Sequence, residues 1–272
     1  MSEVPQITDR AALARNRARA APEALFLHRA AIDEVQDRLA VVNRTFTSPA
    51  VVTPFPALWS STIPEAKIVA DDSHLALEPG AHDLVIHAMA LHWANDVVGQ
   101  VIQCRRALQA DGLFLAVTLG GQTLAQLRAV LAHAESTVSG GLSPRVAPMP
   151  EIRDLGAILQ RSGLNLPVAD SVPLTAEYRD MFHLMHDLRA MGEANALTGR
   201  LRHPTRRALF DVANRLYTEQ FAIDQGRIPA TFELVCLTGW APDDSQPKPL
   251  RPGSAQARLA DALGTSETPL PD

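Results

Sequence analysis

The amino-acid sequence predicts an α/β protein built on a doubly wound, mostly parallel sheet. Hydrophobic residues make up 46% and charged residues 20% of the 272 positions, which is enough apolar side chain for a sizeable core. Short apolar runs alternate with segments of helical periodicity along the chain. At residues 97–119 a helix, an Asp-Gly turn and an apolar strand follow one another, which is typical of a βαβ step with a parallel sheet.

The individual elements follow from apolar spacing and from the Pro, Gly and Asp residues that interrupt it. Two amphipathic helices are predicted within residues 9–39, with a break at Pro22. Extended segments are predicted at residues 50–53, 67–70, 83–89, 113–119, 168–176 and 231–240. Further helices are predicted at residues 97–108, 123–136, 152–160, 181–193 and 204–220. Residues 54–64 are expected to be irregular, because Pro54, Pro56 and Pro64 oppose a long helix.

One main domain is predicted at residues 9–242, with residues 9–42 forming a helical lid at its N-terminal end. Residues 1–8 are expected to be disordered. From residue 243 to residue 272 Pro and Ser dominate, so this segment is expected to be a poorly ordered C-terminal arm.

Charge and cysteine content exclude several classes of function. The formal net charge of −5 argues against nucleic acid as the main partner, because a phosphate-binding surface usually shows a basic excess. The two cysteines, Cys104 and Cys236, lie far apart and offer no disulfide framework, so we expect a reducing, cytoplasmic compartment. No apolar run approaches the roughly 20 residues of a transmembrane helix, which leaves only peripheral membrane association open.

Candidate catalytic residues lie in the segment LHWAND, residues 91–96, directly after the most apolar predicted strand. Ligands of doubly wound sheets bind at the carboxyl ends of the strands. His92, Trp93 and Asn95 are therefore placed to orient a substrate or to transfer a proton. The alternative interpretation is that Trp93 fills the core and His92 is a hydrogen-bonded cap.

Metal chemistry has little support in the sequence. His183, His186 and Asp187 can share one helix face, but a zinc site would need a further convergent ligand set, and a solvated face is the expected interpretation. The P-loop, GxSxG and HExxH motifs are absent from the sequence. We expect no metal site.

A resemblance to a known family covers nearly the whole chain. The run DLVIHAMALHWANDVVGQVIQCRRALQADGLFLAVTLGGQTLAQLR resembles class I S-adenosylmethionine-dependent methyltransferases of the Rossmann-like fold. Together with GGLSPRVAP, MGEAN, ATFELVCLTGW and SQPKPLRPGSA, in this order, it is similar to the methyltransferase-like assembly factors of respiratory complex I. More distantly, the chain resembles the malonyl-carrier O-methyltransferases.

The resemblance implies roles for individual residues. Asp71 matches the position that receives the adenine amino group of S-adenosylmethionine, and His87 and Ala88 match the strand end that lines this cofactor. Glu193 and Asn195 match an acceptor-binding string, although polar residues at a helix C-terminus would explain them equally well. His92, Trp93 and Asn95 would orient the methyl acceptor, since positioning alone can suffice for methyl transfer.

The sequence departs from this family at the cofactor loop. Such enzymes need a Gly-rich loop after the first strand, but residues 50–63 read AVVTPFPALWSSTI without one glycine. Pro54 and Pro56 also remove two N–H donors, and a single strand at residues 67–70 replaces two strands and a helix, so the fold is truncated after its first strand.

Two hypotheses on function follow. The first is a pseudoenzyme that acts through a protein partner, which the resemblance implies to be a complex I subunit or assembly intermediate. The alternative is an active S-adenosylmethionine-dependent methyltransferase with a protein or small-acid acceptor. We further predict that Phe55 or Trp59 projects into the cofactor cleft and partly fills it, because such large apolar groups need a buried environment.

Overall fold

The computed structural model describes residues 5–247 and Gly264. The chain divides into two compact units, Met1–Pro242 and Asp243–Asp272. In the described part of the second unit, the Ser245 hydroxyl donates to Asp243 Oδ1 at 2.6 Å. Most of the expected C-terminal arm lies outside the described residues.

The first unit contains eight α-helices and six strands among its described residues. The helices are α1 (Arg10–Arg17), α2 (Phe26–Val41), α3 (Pro56–Thr62), α4 (Val97–Ala107), α5 (Ala125–Ser139), α6 (Ile152–Arg161), α7 (Met181–Ala190) and α8 (Arg207–Phe221). The strands are β1 (Pro49–Val52), β2 (Lys67–Val69), β3 (His82–Ala88), β4 (Leu108–Leu119), β5 (Asn165–Tyr178) and β6 (Ile228–Trp240).

The strands form one sheet in the order β2-β1-β3-β4-β6-β5. Strands β2, β1, β3 and β4 are parallel, whereas β6 runs antiparallel to both β4 and β5. The predicted doubly wound, mostly parallel Rossmann-like sheet is therefore confirmed. The chain reverses its direction of winding between β1 and β3, and the register pairs Val52 of β1 with Val69 of β2 and with His87 of β3. The residues that follow these three strands therefore meet at one edge of the sheet.

Alternating side chains of the strands build a core on each face of the sheet. On one face Val51, Ile86 and Leu115 pack with residues of α2, α5, α7 and α8. On the other face Val85 and Phe114 pack with residues of α4 and α6. Strands β1, β3 and most of β4 are buried on both sides, so their sequences do not alternate between apolar and polar residues.

Asp side chains begin three of the helices. Asp9 accepts a hydrogen bond from Ala12 N of α1, Asp96 accepts one from Gly99 N of α4, and Asp180 accepts one from His183 N of α7. Such N-caps satisfy backbone donors that the first helical turn leaves without a partner. Ahead of Asp9, Thr8 is buried and pairs with Leu197, so this part of the segment expected to be disordered packs on the domain.

Two local expectations were wrong. Residues 56–62, expected to be irregular, form α3, because Pro56 occupies the first helical turn, where its missing N–H costs nothing. Strand β4 starts at Leu108 instead of Leu113, and Asp111 sits inside it with a left-handed φ of 57°. Among the described residues, no helix combines the length and the apolar character needed to span a bilayer.

Candidate functional site

A buried polar cluster lies where β3 gives way to the turn Leu91–Trp93. Two donors meet one oxygen of Glu193: the Trp93 indole N–H at 2.7 Å and His92 Nε2 at 3.2 Å, both on Oε2. The His92 side chain is 1% exposed and that of Glu193 is 9% exposed. On its other side, His92 Nδ1 lies 3.2 Å from Thr118 Oγ1, at the end of β4. The structure thus brings together His92, Trp93 and Glu193 from the predicted site residues.

The charge of Glu193 is held firmly in the ionised form. Burial by itself would raise the pKa of this carboxyl, but His92, Arg17 and the hydrogen bond from Trp93 outweigh burial and lower the pKa to about 2. The carboxylate is therefore a fixed negative charge at neutral pH. No described residue donates a hydrogen bond to its second oxygen, Oε1.

Glu193 and Trp93 line a largely apolar cavity of about 240 Å³ between the sheet and helices α2, α5 and α7. Its apolar wall includes Leu27, Leu124, Leu127, Leu188, Met185 and Phe232. Arg145, from the loop after α5, and Arg189 of α7 also line it. Arg145 is paired with Glu135, whereas Glu193 keeps one carboxylate oxygen without a donor among the described residues. This oxygen suits a side chain that combines an aliphatic stem with a cationic or hydrogen-bond-donating end.

Asp71, the residue matched to adenine recognition, accepts hydrogen bonds from two arginines of helix α1. Arg17 Nη1 lies 3.0 and 2.8 Å from its two carboxylate oxygens, and Arg10 Nη1 lies 3.1 Å from Oδ2. Arg10 Nη2 also donates to the Asp71 backbone carbonyl at 2.6 Å. Burial acts to raise the pKa of Asp71, yet the two guanidinium groups lower it below its ordinary value. We call this group of three residues the α1 clamp.

The residues at the ends of β1 and β2 do not fit S-adenosylmethionine. Both carboxylate oxygens of Asp71 accept hydrogen bonds from the arginines of the α1 clamp, so an adenine amino group would have to compete with two guanidinium groups for them. Pro54 and Pro56 have no N–H to offer a ligand carboxylate, and no glycine in this loop allows close backbone approach. Phe55 lines the groove of about 360 Å³ that remains between α1 and these strand ends.

Of the two aromatic residues predicted to fill the cleft, Phe55 lines the groove, where Arg10 and Arg17 of α1 also lie. Phe55 lies in the groove, and its ring contacts His28 edge-on, with centroids 4.7 Å apart. Trp59 is fully buried in the core, as large apolar groups of this segment were predicted to be. Sequence reasoning missed Arg10 and Arg17, whose only signal was the arginine-rich stretch at residues 10–19.

The remaining cofactor candidates make internal contacts. His87 Nε2 lies 3.2 Å from Gln100 Oε1, and Gln100 in turn donates to the Asp72 carbonyl at 2.7 Å. Burial lowers the pKa of His87 to about 4, so this ring is neutral at neutral pH. Ala88 is fully buried. Both residues support the strand end from within the domain.

Both candidate asparagines hold chain segments in place. Asn95 accepts a hydrogen bond from Thr8 N at 2.8 Å and donates to the Thr8 carbonyl at 3.1 Å, which fixes the segment ahead of α1. Asn195 donates to the Pro144 carbonyl at 2.8 Å, while its side chain also lines the cavity of Glu193. These contacts give each residue a structural role beside the site.

The described residues contain no group of three or more His, Cys, Asp or Glu side chains arranged to hold a metal ion. The Tyr178 hydroxyl donates to Asp187 at 2.7 Å, and the His183 ring contacts the Tyr178 ring. These contacts explain part of the histidine-containing face of α7 in structural terms.

The fold is an α/β domain of the class I methyltransferase type, in which Arg10 and Arg17 of the N-terminal helix bind the carboxylate of Asp71 after β2. The chain is 34% identical over 221 residues to "Arginine-hydroxylase NDUFAF5, mitochondrial" of Danio rerio, a match that covers 81% of this chain and 68% of that protein. The chain belongs to the NDUFAF5 family. It spans between 45% and 68% of the lengths of the NDUFAF5 proteins of Danio rerio, Dictyostelium discoideum, rat, mouse and human.

Methyltransferases are more distant relatives. Malonyl-[acyl-carrier protein] O-methyltransferase of Methylovorus sp. is 34% identical over 175 residues, covering 64% of this chain and 56% of that protein. A solved structure of phosphoethanolamine N-methyltransferase 2 from Haemonchus contortus, with S-adenosylhomocysteine bound, matches 76% of this chain and 53% of that chain at 10% identity and a TM-score of 0.40. No protein-family model matches the chain.

Proposed function

We propose that this chain is a methyltransferase-fold protein that does not use S-adenosylmethionine and acts through a protein partner in the assembly of respiratory complex I. The observation that carries the proposal is the α1 clamp, in which two arginines occupy the carboxylate that would serve the adenine. The missing glycines of the β1 loop support it independently. As a methyltransferase, the protein is then a pseudoenzyme.

Affinity capture tests the partner. The tagged full chain is expressed in its native host, and the captured material is probed with antibodies against complex I subunits. We expect a complex I subunit or assembly intermediate to be recovered with the chain. A chain recovered free of complex I subunits contradicts the proposal. So does transfer of radiolabel from methyl-labelled S-adenosylmethionine to a captured protein, which would support the methyltransferase alternative.

A second candidate function concerns what the cavity of Glu193 receives. The relatives are named as arginine hydroxylases, and an arginine side chain has the aliphatic stem and cationic end that this cavity suits. We infer that an arginine of the partner inserts here and donates to Glu193 Oε1. A guanidinium matches a carboxylate in charge and in hydrogen-bond geometry.

The Trp93 indole N–H is a direct reporter of this binding, because it donates to Glu193. Titration with acetyl-arginine amide, followed by NMR, is expected to shift the Trp93 indole signal. The neutral analogue acetyl-citrulline amide should leave the signal in place, and the Glu193→Gln variant should respond to neither compound. Equal shifts with arginine and citrulline would refute a charge-selective site.

A further inference from the structure

A second, open groove shares one lining residue, Arg145, with the cavity of Glu193. It has a volume of about 560 Å³ and is formed by the end of α5, the loop that follows it, and residues 201–206. Arg145 lines both the cavity and this groove. A polypeptide that places one side chain in the cavity can therefore run on into the groove.

Hydrogen bonds from Arg145 connect the two segments that form the groove. Arg145 Nη1 donates to Thr205 Oγ1 at 3.1 Å, and Arg145 Nη2 donates to Glu135 at 2.6 Å. Glu135 also accepts hydrogen bonds from the backbone and the hydroxyl of Ser143. A groove held by several cross-loop hydrogen bonds is pre-organised, which reduces the entropy lost when a partner binds.

The charge of this surface is opposite to that of the whole chain. The chain carries a net charge of −5, yet residues 136–150 and 194–210 contain five arginines and no acidic residue, and Glu135, which also lines the groove, is paired with Arg145. Arg200 and Arg202 pair with Asp9. Arg206 and Arg207 are exposed and form no ion pair with any residue in the described part of the chain.

Of these two arginines, Arg206 lines the groove together with exposed apolar side chains, and Arg207 follows it in sequence. Leu142 is 72% exposed and Leu201 is 37% exposed, and both line the groove. Exposed apolar residues rimmed by like charges are typical of a surface that binds a partner of opposite charge. A concave groove favours a polypeptide segment over a flat bilayer.

We propose that this groove recognises an acidic, apolar segment of the partner polypeptide, next to the arginine that enters the cavity. The inference rests on the proposed function, because the cavity supplies the anchor. The acidic side chains of the segment pair with Arg206 and Arg207, and an apolar side chain packs between Leu142 and Leu201. The groove thereby selects, among the arginines of the partner, the one that is flanked in sequence by acidic and apolar residues.

Fluorescence anisotropy with labelled peptides tests this specificity. Each peptide has one arginine flanked on one side by leucine and two glutamates, and matched peptides carry two lysines instead of the glutamates. We expect the acidic peptides to bind at least about tenfold more tightly than the lysine peptides. The Arg206→Glu/Arg207→Glu variant should reverse this preference, and Leu142→Ser should weaken binding of both peptides.

The matched control is Arg153→Glu/Arg161→Glu, which changes the net charge equally on α6, a helix packed on the other face of the sheet. It should keep the wild-type preference for the acidic peptides.

If acetyl-arginine amide shifts the Trp93 indole signal but the flanking charge has no effect on peptide binding, the groove inference fails while the proposed arginine site in the cavity stands. If acetyl-arginine amide has no effect, the arginine proposal itself fails. Binding to phosphatidylglycerol vesicles that is lost in Arg206→Glu/Arg207→Glu, without any peptide preference, would assign the surface to lipid and overturn the inference.

Discussion

Glu193 supplies the negative charge of the site, and folding lowers the pKa of its carboxyl. Its pKa falls from 4.5 to about 2 on folding, so the unfolded chain binds a proton more readily than the folded chain between these values. This carboxylate therefore contributes stability that is fully present above about pH 4.5 and is lost as pH falls towards 2. The same charge that stabilises the domain is the one we assign to ligand binding.

Glu193→Gln should lower the free energy of unfolding at neutral pH by about 2–3 kcal/mol, because it weakens charged hydrogen bonds to His92 and Trp93. The difference from wild type should shrink as pH falls from 4.5 to about 2, the range in which Glu193 gains its proton. Urea unfolding at a series of pH values measures this difference. A difference that stays constant across that range would show that folding does not lower the pKa of Glu193.

His28, unlike Glu193, is a buried polar side chain that lowers the stability of the folded chain at acidic pH. It is 3% exposed, and neither ring nitrogen has a hydrogen-bond partner within the described part of the chain. Burial lowers its pKa from 6.5 to about 4. The unfolded chain then binds a proton that the folded chain does not, so His28 removes stability as pH falls from 6.5 to about 4.

His28→Phe should stabilise the domain by about 1–2 kcal/mol, since it removes two buried polar atoms without partners and keeps the ring contact with Phe55. It should also reduce the loss of stability between pH 6.5 and 4. Thermal unfolding followed by circular dichroism provides the measurement. His133→Phe, at an exposed position of α5, is the control and should leave the pH dependence unchanged. Identical pH profiles of His28→Phe and wild type would argue against a neutral buried ring.

At the scale of elements, helix α1 is attached to the strand ends by the ion pairs of the α1 clamp. The side chains of Arg17 and Asp71 are each 9% exposed, whereas that of Arg10 is 30% exposed. A buried ion pair is lost at high cost when one partner is removed, while an exposed pair contributes little. Arg17 is therefore expected to dominate the attachment of α1 to the strand ends.

A double-mutant cycle with Arg17→Met and Asp71→Asn measures this attachment. We expect a coupling free energy of about 1–3 kcal/mol, because the two side chains share two short contacts in a buried setting. The matched cycle with Arg10→Met should give less than about 1 kcal/mol. Equal coupling in both cycles, or none in the first, would contradict the assignment of Arg17 as the main contact.

At the scale of the whole molecule, the sheet was predictable because its strands are short apolar runs with turn residues between them. The central strands β1 and β3 and residues 112–119 of β4 are largely buried on both faces, which favours apolar residues there. Helix α3 was missed because three prolines suggest a break, although one at the first turn is compatible with a helix.

The candidate site was predictable only in part. Residues 91–95 follow a strand directly, so their place at the sheet edge follows from local order. Glu193 was singled out by the resemblance, and its contact with His92 spans about a hundred residues of sequence, which no local pattern reveals. The α1 clamp is equally non-local, because Arg17 and Asp71 lie 54 residues apart. Long-range pairings of this kind depend on how helices dock, and apolar periodicity carries no information on them.

Calorimetric titration of the purified chain with S-adenosylmethionine at millimolar concentration tests the central claim most directly. No heat of binding is expected, because the arginines of α1 bind Asp71 and the β1 loop lacks glycine. Saturable, equimolar binding by the wild type would contradict the proposed function, and its loss in Asp71→Asn would show that Asp71 serves the cofactor.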